Sequence, residues 1–586
     1  MKHLLIAVVL LIFFVPATVG ADEAPATRPI APRGSLQGQD SGPVLGDLSF
    51  GINPCLGLGF PSQNVDNYSV FPQCGMGLVR LVVHWRDRQP ARGEFYWGGL
   101  DNKVRVLQDL GIDVCFTLQS DAEWGIEPSE FPAANHPPTD MADWTEFLTH
   151  LVERYNGDGL DDLPGLLRPV SCYQVASEWP SKNNLHGGWT GTIDQLIEFF
   201  NASYDAIKAA DPSTAVILGG IASISLDAMV LNAGQGGYVA RQSYNETVKD
   251  SLTVEIAQDP RITEAVADKE RVLAESRYDM VDLHMYGPVE YNQYRIARIR
   301  QSVGPVPLVS TECGGPNLAY DPDITPEEHF MTALDMNLDG LSRGLIFMMW
   351  LSMFGQEYVP GIGPTWGNSQ LQLIDKDQQP TGGFWAYHLL AALLEGMSSV
   401  EKPGPGIYII HRYEQPDIHV AWRTADNATY QLPTSIHPEA MMVVTDAANG
   451  LYVITRPPVD GLLHLGALPF VVSEVLPGDA WPPGSSFPSG GDNRDLLPHM
   501  VFNEAGNFPN PFNPATEIRF MLGMDSHIRI EVFDLPGRRI ATLLDTDLQA
   551  GQHRVMWDAT GQSSGTYIFR LTGANERVVL RGQLVK

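Results

Sequence analysis

The stretch Val-Ser-Cys-Tyr-Gln-Val-Ala-Ser-Glu, residues 170–178, is a mostly apolar run that ends on a carboxylate, Glu178. A second run, Val-Pro-Leu-Val-Ser-Thr-Glu at 306–312, ends the same way on Glu312. Continuous apolar runs, as opposed to alternating ones, mark strands covered on both faces and hence a parallel sheet. Six more segments share this character: Leu48–Ile52, Leu78–Val83, Asp113–Leu118, Ala215–Leu218, Met280–Met285 and Leu345–Met349. With Val170–Ala176 and Pro307–Thr311 they make eight predicted strands.

Helical patterns lie between most of them. Leu100–Leu110 carries an apolar stripe of Val104, Leu107 and Leu110 and stops at Gly111, a natural C-terminal cap. Asp143–Tyr155 repeats the stripe with Trp144, Phe147, Leu148 and Leu151. Thr192–Ala210 opens on a capping threonine, and Glu327–Leu341 follows Pro326. Eight strands alternating with helices over about 350 residues predict an α/β fold, a (β/α)8 barrel. A doubly wound open sheet is the alternative, disfavoured because no glycine-rich phosphate loop follows the first strand.

The rhythm changes near residue 400. Tyr408–His411, Ile418–Trp422, Met441–Thr445, Leu451–Ile454 and Pro469–Val472 read as short strands of a small antiparallel β-sandwich spanning 400–474. Residues 475–505 are dense in Pro, Gly, Ser, Asp and Asn and read as a linker. A last β-rich module, 506–586, has strands at Ile518–Leu522, Ile528–Phe533, Gly551–Trp557 and Gly565–Thr572. At the other end, Met1-Lys2-His3, the apolar run Leu4–Val15 and the small residues Val19-Gly20-Ala21 form a predicted export signal over 1–21. A disordered leader over 22–45 precedes the barrel at 46–399.

Composition narrows the partners. A formal net charge of -31 argues against nucleic acid, because phosphate binding needs clustered Lys and Arg. No segment after the export signal is long and apolar enough to span a bilayer, so an integral membrane protein is not expected. Five cysteines, an odd and small number, exclude a disulfide scaffold, although Cys55 and Cys74 are close enough in sequence to pair. Oxygen side chains in Asn156-Gly157-Asp158-Gly159-Leu160-Asp161-Asp162 suggest either a calcium loop or a solvated acidic turn.

A carboxylate at the C-terminal end of a barrel strand is where such barrels place their chemistry. Two of them facing one cavity are what glycoside hydrolysis needs, one as acid and one as nucleophile. Glu123, after the third strand, is a rival acid.

At this point the barrel resembles glycoside hydrolase clan A, whose acid/base Glu ends the fourth strand and whose nucleophile ends the seventh. Glu178 and Glu312 occupy those places. Leu-Val-Arg-Leu-Val-Val-His-Trp at 78–85, followed by Gly93-Glu94-Phe95-Tyr96-Trp97, is similar to retaining xylosidases and β-glucosidases of the clan. Val281-Asp282-Leu283-His284-Met285-Tyr286 resembles the run that ends the sixth strand, and Trp350 ends the eighth. The resemblance implies a retaining glycoside hydrolase acting on β-linked polysaccharide or oligosaccharide, with Glu178 and Glu312 catalytic. It implies substrate contacts from Arg80, Trp85, Ser177, His284, Tyr286 and Trp350, with no metal and no cofactor. In the clan an Asn precedes the acid/base Glu; here it is Ser177. That departure favours the alternative, a non-catalytic glycan-binding or adhesion protein on a degenerate barrel.

The C-terminal module carries Asn507-Phe508-Pro509-Asn510-Pro511-Phe512-Asn513-Pro514, then Val532-Phe533-Asp534 and Gly565-Thr566-Tyr567. It resembles the C-terminal sorting domain of type IX secretion and the Ig-like domain of flagellar hook-capping proteins. This implies contact with secretion machinery and a secreted or outer-surface location.

Overall fold

The computed structural model describes residues 56–60, 65–131, 133–181, 187–244, 247–315, 325–354, 372–375, 379–413, 415–425, 428–438, 441–474, 502–508, 512–522, 526–534, 538–549, 551–573 and 576–586. The export signal at 1–21, the leader and the linker lie outside these residues, as does the predicted strand Leu48–Ile52. The strand that begins the barrel is Leu56–Phe60.

Eight parallel strands close into a ring: β1 (Leu56–Phe60), β2 (Leu78–His84), β3 (Asp113–Gln119), β4 (Cys172–Val175), β5 (Ala215–Ile221), β6 (Met280–Leu283), β7 (Leu308–Gly314) and β8 (Leu345–Phe354). Closure comes from β8, which pairs with β7 on one side and with β1 on the other. Among the described residues the α-helices longer than one turn are α1 (Gly98–Asp109), α2 (Met141–Tyr155), α3 (Ile193–Ala210), α4 (Ser223–Asn232), α5 (Pro260–Glu275), α6 (Asn292–Val303), α7 (Pro326–Ser342) and α8 (Gly382–Leu393). Their starts follow local chemistry. Thr192 with Gln195 and Thr325 with Glu328 form reciprocal capping boxes, and Asp140 accepts from the Ala142 amide. The stretch 220–278, which carries no clear sequence pattern, contains α4, α5 and the hairpin Ala240–Tyr244/Thr247–Leu252.

Strand alternation sorts the side chains into two cores. Leu78, Cys115, Cys172, Ala215, Ile217, Met280, Val309, Phe347 and Met349 form a buried cluster of their own, the plug of the barrel interior. The alternate residues, among them Val79, Leu81, Val83, Phe116, Leu118 and Met348, belong to the larger core shared with the helices.

This alternation corrects the reading of two tryptophans expected among the substrate contacts. Trp85 follows β2 out of register with the inward residues and is 0% exposed, its ring 5.1 Å from Trp124, 5.3 Å from Trp144 and 6.1 Å from Phe147. Its Nε1 donates to Gln89 Oε1 at 2.7 Å. Trp350, also 0% exposed, lies against Tyr387 of α8 and His329 of α7. Both rings fill the wall between sheet and helices.

After α8 a six-stranded antiparallel sheet runs in the order Met397–Gly404, Ile407–Arg412, Gln415–Ala421, Phe470–Val472, Met441–Asp446, Leu451–Thr455. A two-stranded sheet, Thr429–Gln431 with Leu462–His464, lies over it around Leu432, Leu463 and Leu465. Lys402 Nζ reaches Asp339 Oδ1 of α7 at 2.6 Å, and Tyr408 donates to Asp335 at 2.5 Å, so this layer is fastened to the barrel. The chain divides into two compact units, 1–485 and 486–586. The second holds a three-stranded and a four-stranded antiparallel sheet around Ile518, Phe520, Ile530, Val532, Trp557, Phe569 and Leu571.

Cys74 is a buried free thiol whose Sγ donates to the Phe71 carbonyl at 3.5 Å; Cys55 lies outside the described residues. In the 156–162 loop, Asp162 accepts from the amides of Gly157 (2.8 Å) and Gly159 (2.7 Å). That carboxylate closes its own turn. Trp85→Ala is expected to destabilise the first unit by about 3–5 kcal/mol, the range for a fully buried large aromatic. Urea denaturation of the variant measures this.

Candidate active site

Inside the barrel, one layer above the apolar plug, the side chains are polar. Arg80 on β2, Thr117 on β3, Gln174 on β4, Asp282 on β6 and Thr311 on β7 are all at most 1% exposed. An unpaired charge there would be strongly unfavourable, so each group must find partners. Arg80 Nε donates to the Gly59 carbonyl (3.1 Å), and Nη1 donates to Thr311 Oγ1 (2.9 Å) and Gln174 Oε1 (3.4 Å). Asp282 accepts from Gln174 Nε2 (2.5 Å), the Thr311 amide (2.7 Å) and Thr311 Oγ1 (2.7 Å). Thr117 donates to Gln174.

Glu312 rests on this layer. Arg80 Nη2 donates to its Oε1 at 2.6 Å and the Tyr286 hydroxyl to its Oε2 at 2.8 Å. In a regular strand Thr311 and Glu312 would point to opposite faces. The register of β7 against β8 shifts between Ser310 and Cys313, and this irregularity lets both side chains reach the barrel axis. Glu178 approaches from β4 by another departure. After Val175 the chain adopts positive φ at Ala176 (60°) and at Glu178 (45°), a conformation unfavourable for side chains other than glycine. Ser177 between them is 3% exposed, and its carbonyl accepts from the Gly188 amide at 2.8 Å. The Trp179 indole donates to the Gly219 carbonyl at 2.9 Å, anchoring the far side of the bend.

His284 joins the two carboxylates. Its Nδ1 lies 3.0 Å from Glu178 Oε1 and 3.4 Å from Glu312 Oε2. Its Nε2 faces Asp282 Oδ2 at 3.3 Å, an ionic contact without hydrogen-bond alignment. The ring fits only because β5 carries Gly220 opposite: a Cβ there would stand 1.9 Å from Nε2. One donor atom each from Glu178, His284 and Glu312 lie within 4.8 Å of one another.

The electrostatics follow from burial and neighbours. Burial alone would lower the His284 pKa, but the charges of Glu312 and Asp282, the close Asp282 contact and the hydrogen bond with Glu178 raise it to about 10. Burial would raise the Glu312 pKa; His284 and Arg80, with the Arg80 and Tyr286 hydrogen bonds, overcome this and hold it below the usual carboxylate value. Burial and Glu312 push the Tyr286 phenol far up, so it remains a donor.

Five of the expected site residues, Arg80, Glu178, His284, Tyr286 and Glu312, therefore converge, with Ser177 beside them. Trp85 and Trp350 do not. Glu123 is exposed, whereas the neighbouring Asp121 is buried and paired with His84 at 2.6 Å. Gln174, Asp282, Thr311 and Gly220 were missed. Their signal was polar residues at alternate positions of otherwise apolar strands, and a Gly-Gly pair ending β5.

Residues 507–585 match the family model of the secretion system C-terminal sorting domain. The chain thus carries a sorting domain of that secretion system, which places it among secreted or cell-surface proteins. Among the described residues no helix is long and apolar enough to cross a membrane. Among solved structures the chain is similar to a family 39 glycoside hydrolase from the gut symbiont Bacteroides cellulosilyticus, at 14% identity over 72% of this chain and 81% of that one, TM-score 0.47. It is also similar to a monomeric beta-xylosidase from Caulobacter crescentus (13% identity, 72% and 97% covered, TM-score 0.46). A glycoside hydrolase family 30 subfamily 8 xylanase from Clostridium acetobutylicum gives 10% identity, 73% and 97% covered, and a TM-score of 0.44. No curated protein matches the chain. Identities this low leave the chemistry to be decided by the side chains themselves.

A histidine whose pKa is raised in the folded state stabilises the fold fully below its unfolded value near 6.5, and that stabilisation disappears as pH rises through about 10. The stability advantage of the wild type over His284→Gln is therefore expected to shrink steadily between these limits. Denaturation midpoints of both proteins across that window test it.

Proposed function

We propose that this chain is a secreted or surface-attached retaining glycoside hydrolase that cleaves β-linked oligosaccharide or polysaccharide. The observation that carries this reading is the approach of Glu178 and Glu312 oxygens to within 4.8 Å. Retaining enzymes need carboxyl groups about 5–5.5 Å apart, whereas inverting enzymes need about 6.5–9.5 Å to admit a water.

The two environments suit two roles. Glu312, ionised beside Arg80, attacks the anomeric carbon. Glu178, whose side chain is 21% exposed against 10% for Glu312, protonates the departing glycosidic oxygen. The leaving alcohol carries that proton away, and Glu312 holds the glycosyl group as an ester. Glu178, now a carboxylate, takes a proton from water as the water oxygen attacks the same carbon, and Glu312 is released. These steps use side chains alone.

Ser177 supports a second reading, a glycan-binding protein on a barrel that has lost activity. A serine hydroxyl reaches less far than a carboxamide toward a sugar hydroxyl. Aryl β-glycosides of several sugars, with glycan-array binding for any that are not cleaved, separate the two. On the first reading the released sugar has retained configuration by proton NMR. Glu178→Gln and Glu312→Gln each lower kcat by about 10²–10⁴-fold or more with the fold intact by circular dichroism. Full activity in either variant rules out the assignment.

The sorting domain supports delivery through type IX machinery to the cell exterior. A chain ending before residue 507 is expected to hydrolyse at the wild-type rate and to remain inside the outer membrane, measured by fractionation of the producing cell.

A further inference from the structure

His284 and Tyr286, which hold the two carboxylates, sit where β6 gives way to the short strand Met285–Tyr286. That strand makes two parallel pairings with β7, Met285 with Cys313 and Tyr286 with Gly314. The chain leaves it at once through Gly287 at φ 89°. So short a strand has little of its own to set the rotation of its peptides, yet both side chains must arrive within hydrogen-bond distance of a target.

Two residues outside β6 supply the missing constraint. Ser223, the first residue of α4, donates from Oγ to the His284 carbonyl at 2.7 Å and accepts from the Tyr286 amide at 2.9 Å. One hydroxyl thus spans the segment from one key residue to the other. Arg295 of α6 donates from Nη1 to the Tyr286 carbonyl at 2.7 Å. Its Nε and Nη2 form a two-pronged pair with Asp227 of α4, at 2.7 and 2.8 Å, and Asp227 also accepts from the Tyr238 hydroxyl at 2.8 Å. Arg295 and Asp227 are 2% and 3% exposed. A buried ion pair adds little net stability, but its planar fork is rigid, and here the one remaining arm points at the Tyr286 carbonyl.

We propose that Ser223 and Arg295 are positioning residues for the carboxylate pair: they clamp the backbone of residues 284–286 so that His284 reaches Glu178 and Tyr286 reaches Glu312. The clamp concerns geometry and holds for any chemistry at this site; its effect on turnover rests on the hydrolase reading.

The test uses the full chain with Ser223→Ala, Ser223→Thr and Arg295→Met. Its first readout is the pH titration of the His284 imidazole nitrogens by NMR, which needs no substrate. Ser223→Ala is expected to move that titration down by about one unit or more as Nδ1 loses its place beside Glu178, and Ser223→Thr, which keeps the hydroxyl, restores it. The second readout is turnover of an aryl β-glycoside, with kcat expected to fall about tenfold or more while KM stays within about twofold. A Ser223→Ala protein whose His284 titrates as in the wild type overturns the proposal, whatever its activity. If the wild type cleaves no glycoside, the hydrolase reading fails and the titration still decides the clamp. Should Arg295→Met leave Asp227 uncompensated and fail to fold, the Ser223 pair decides alone.

Discussion

The contact on which the site depends is the 2.6 Å ion pair between Arg80 and Glu312. A guanidinium buried at the axis of a barrel has no water to fall back on, so its donors must be met by protein. That requirement explains why Gln174, Asp282 and Thr311 replace apolar residues at interior positions of β4, β6 and β7. The carbonyl of Gly59 also receives Arg80, and a Cβ at that position would stand 2.8 Å from the Thr311 carbonyl oxygen. The polar layer is thus one satisfied network, and Glu312 is the member that reaches Tyr286 and His284 beyond it. Removing any one partner would strand another, which makes the layer an all-or-nothing feature of the barrel.

Around that layer, both glutamates are aimed by irregular backbone. β7 shifts register between Ser310 and Cys313, and the end of β4 passes through positive φ at Ala176 and Glu178. Regular strands would have sent Glu312 into the helix layer, with the aliphatic residues of the outer core. Positive φ at a non-glycine residue, as at Ala176 and Glu178, costs about 1–3 kcal/mol and persists where the surroundings over-determine it. Here the Ser177 carbonyl, held by Gly188, and the Trp179 indole, held by Gly219, tie down the β4 bend on both sides of Glu178. His284 then joins the two ends. Its charge, sustained by Glu312 and Asp282, keeps three carboxylates together in a space where they would otherwise repel.

The strand and helix patterns were legible because they are local. Capping residues such as Thr192 and Thr325, and apolar runs such as 170–175, announce their elements within a few residues. The pair Glu178 and Glu312 was legible too, since each ends such a run. The tryptophans were misread because an aromatic residue at a strand end looks the same whichever way it faces. Counting by twos from Arg80 through Val82 to His84 puts Trp85 on the outside, with Trp124 and Trp144. The supports of the site were hidden for another reason: Ser223, Asp227 and Arg295 are ordinary helix residues, and nothing near them in sequence marks them as partners of β6.

The amino-acid sequence alone thus determined the alternation of strands and helices that makes the barrel, its appended β-layers, a sorting domain over 506–586 and the two carboxylates at the ends of β4 and β7. Only the tertiary structure decided which side chains meet. Closure of β8 onto β1 brings Arg80 to Glu312 and His284 to Glu178, contacts between residues more than a hundred positions apart. The physical reason is that periodicity and capping energies act over one or two turns of chain. The direction of a side chain inside a barrel depends instead on strand register, on local bulges and on what the opposite wall leaves open, as Gly220 leaves room for His284.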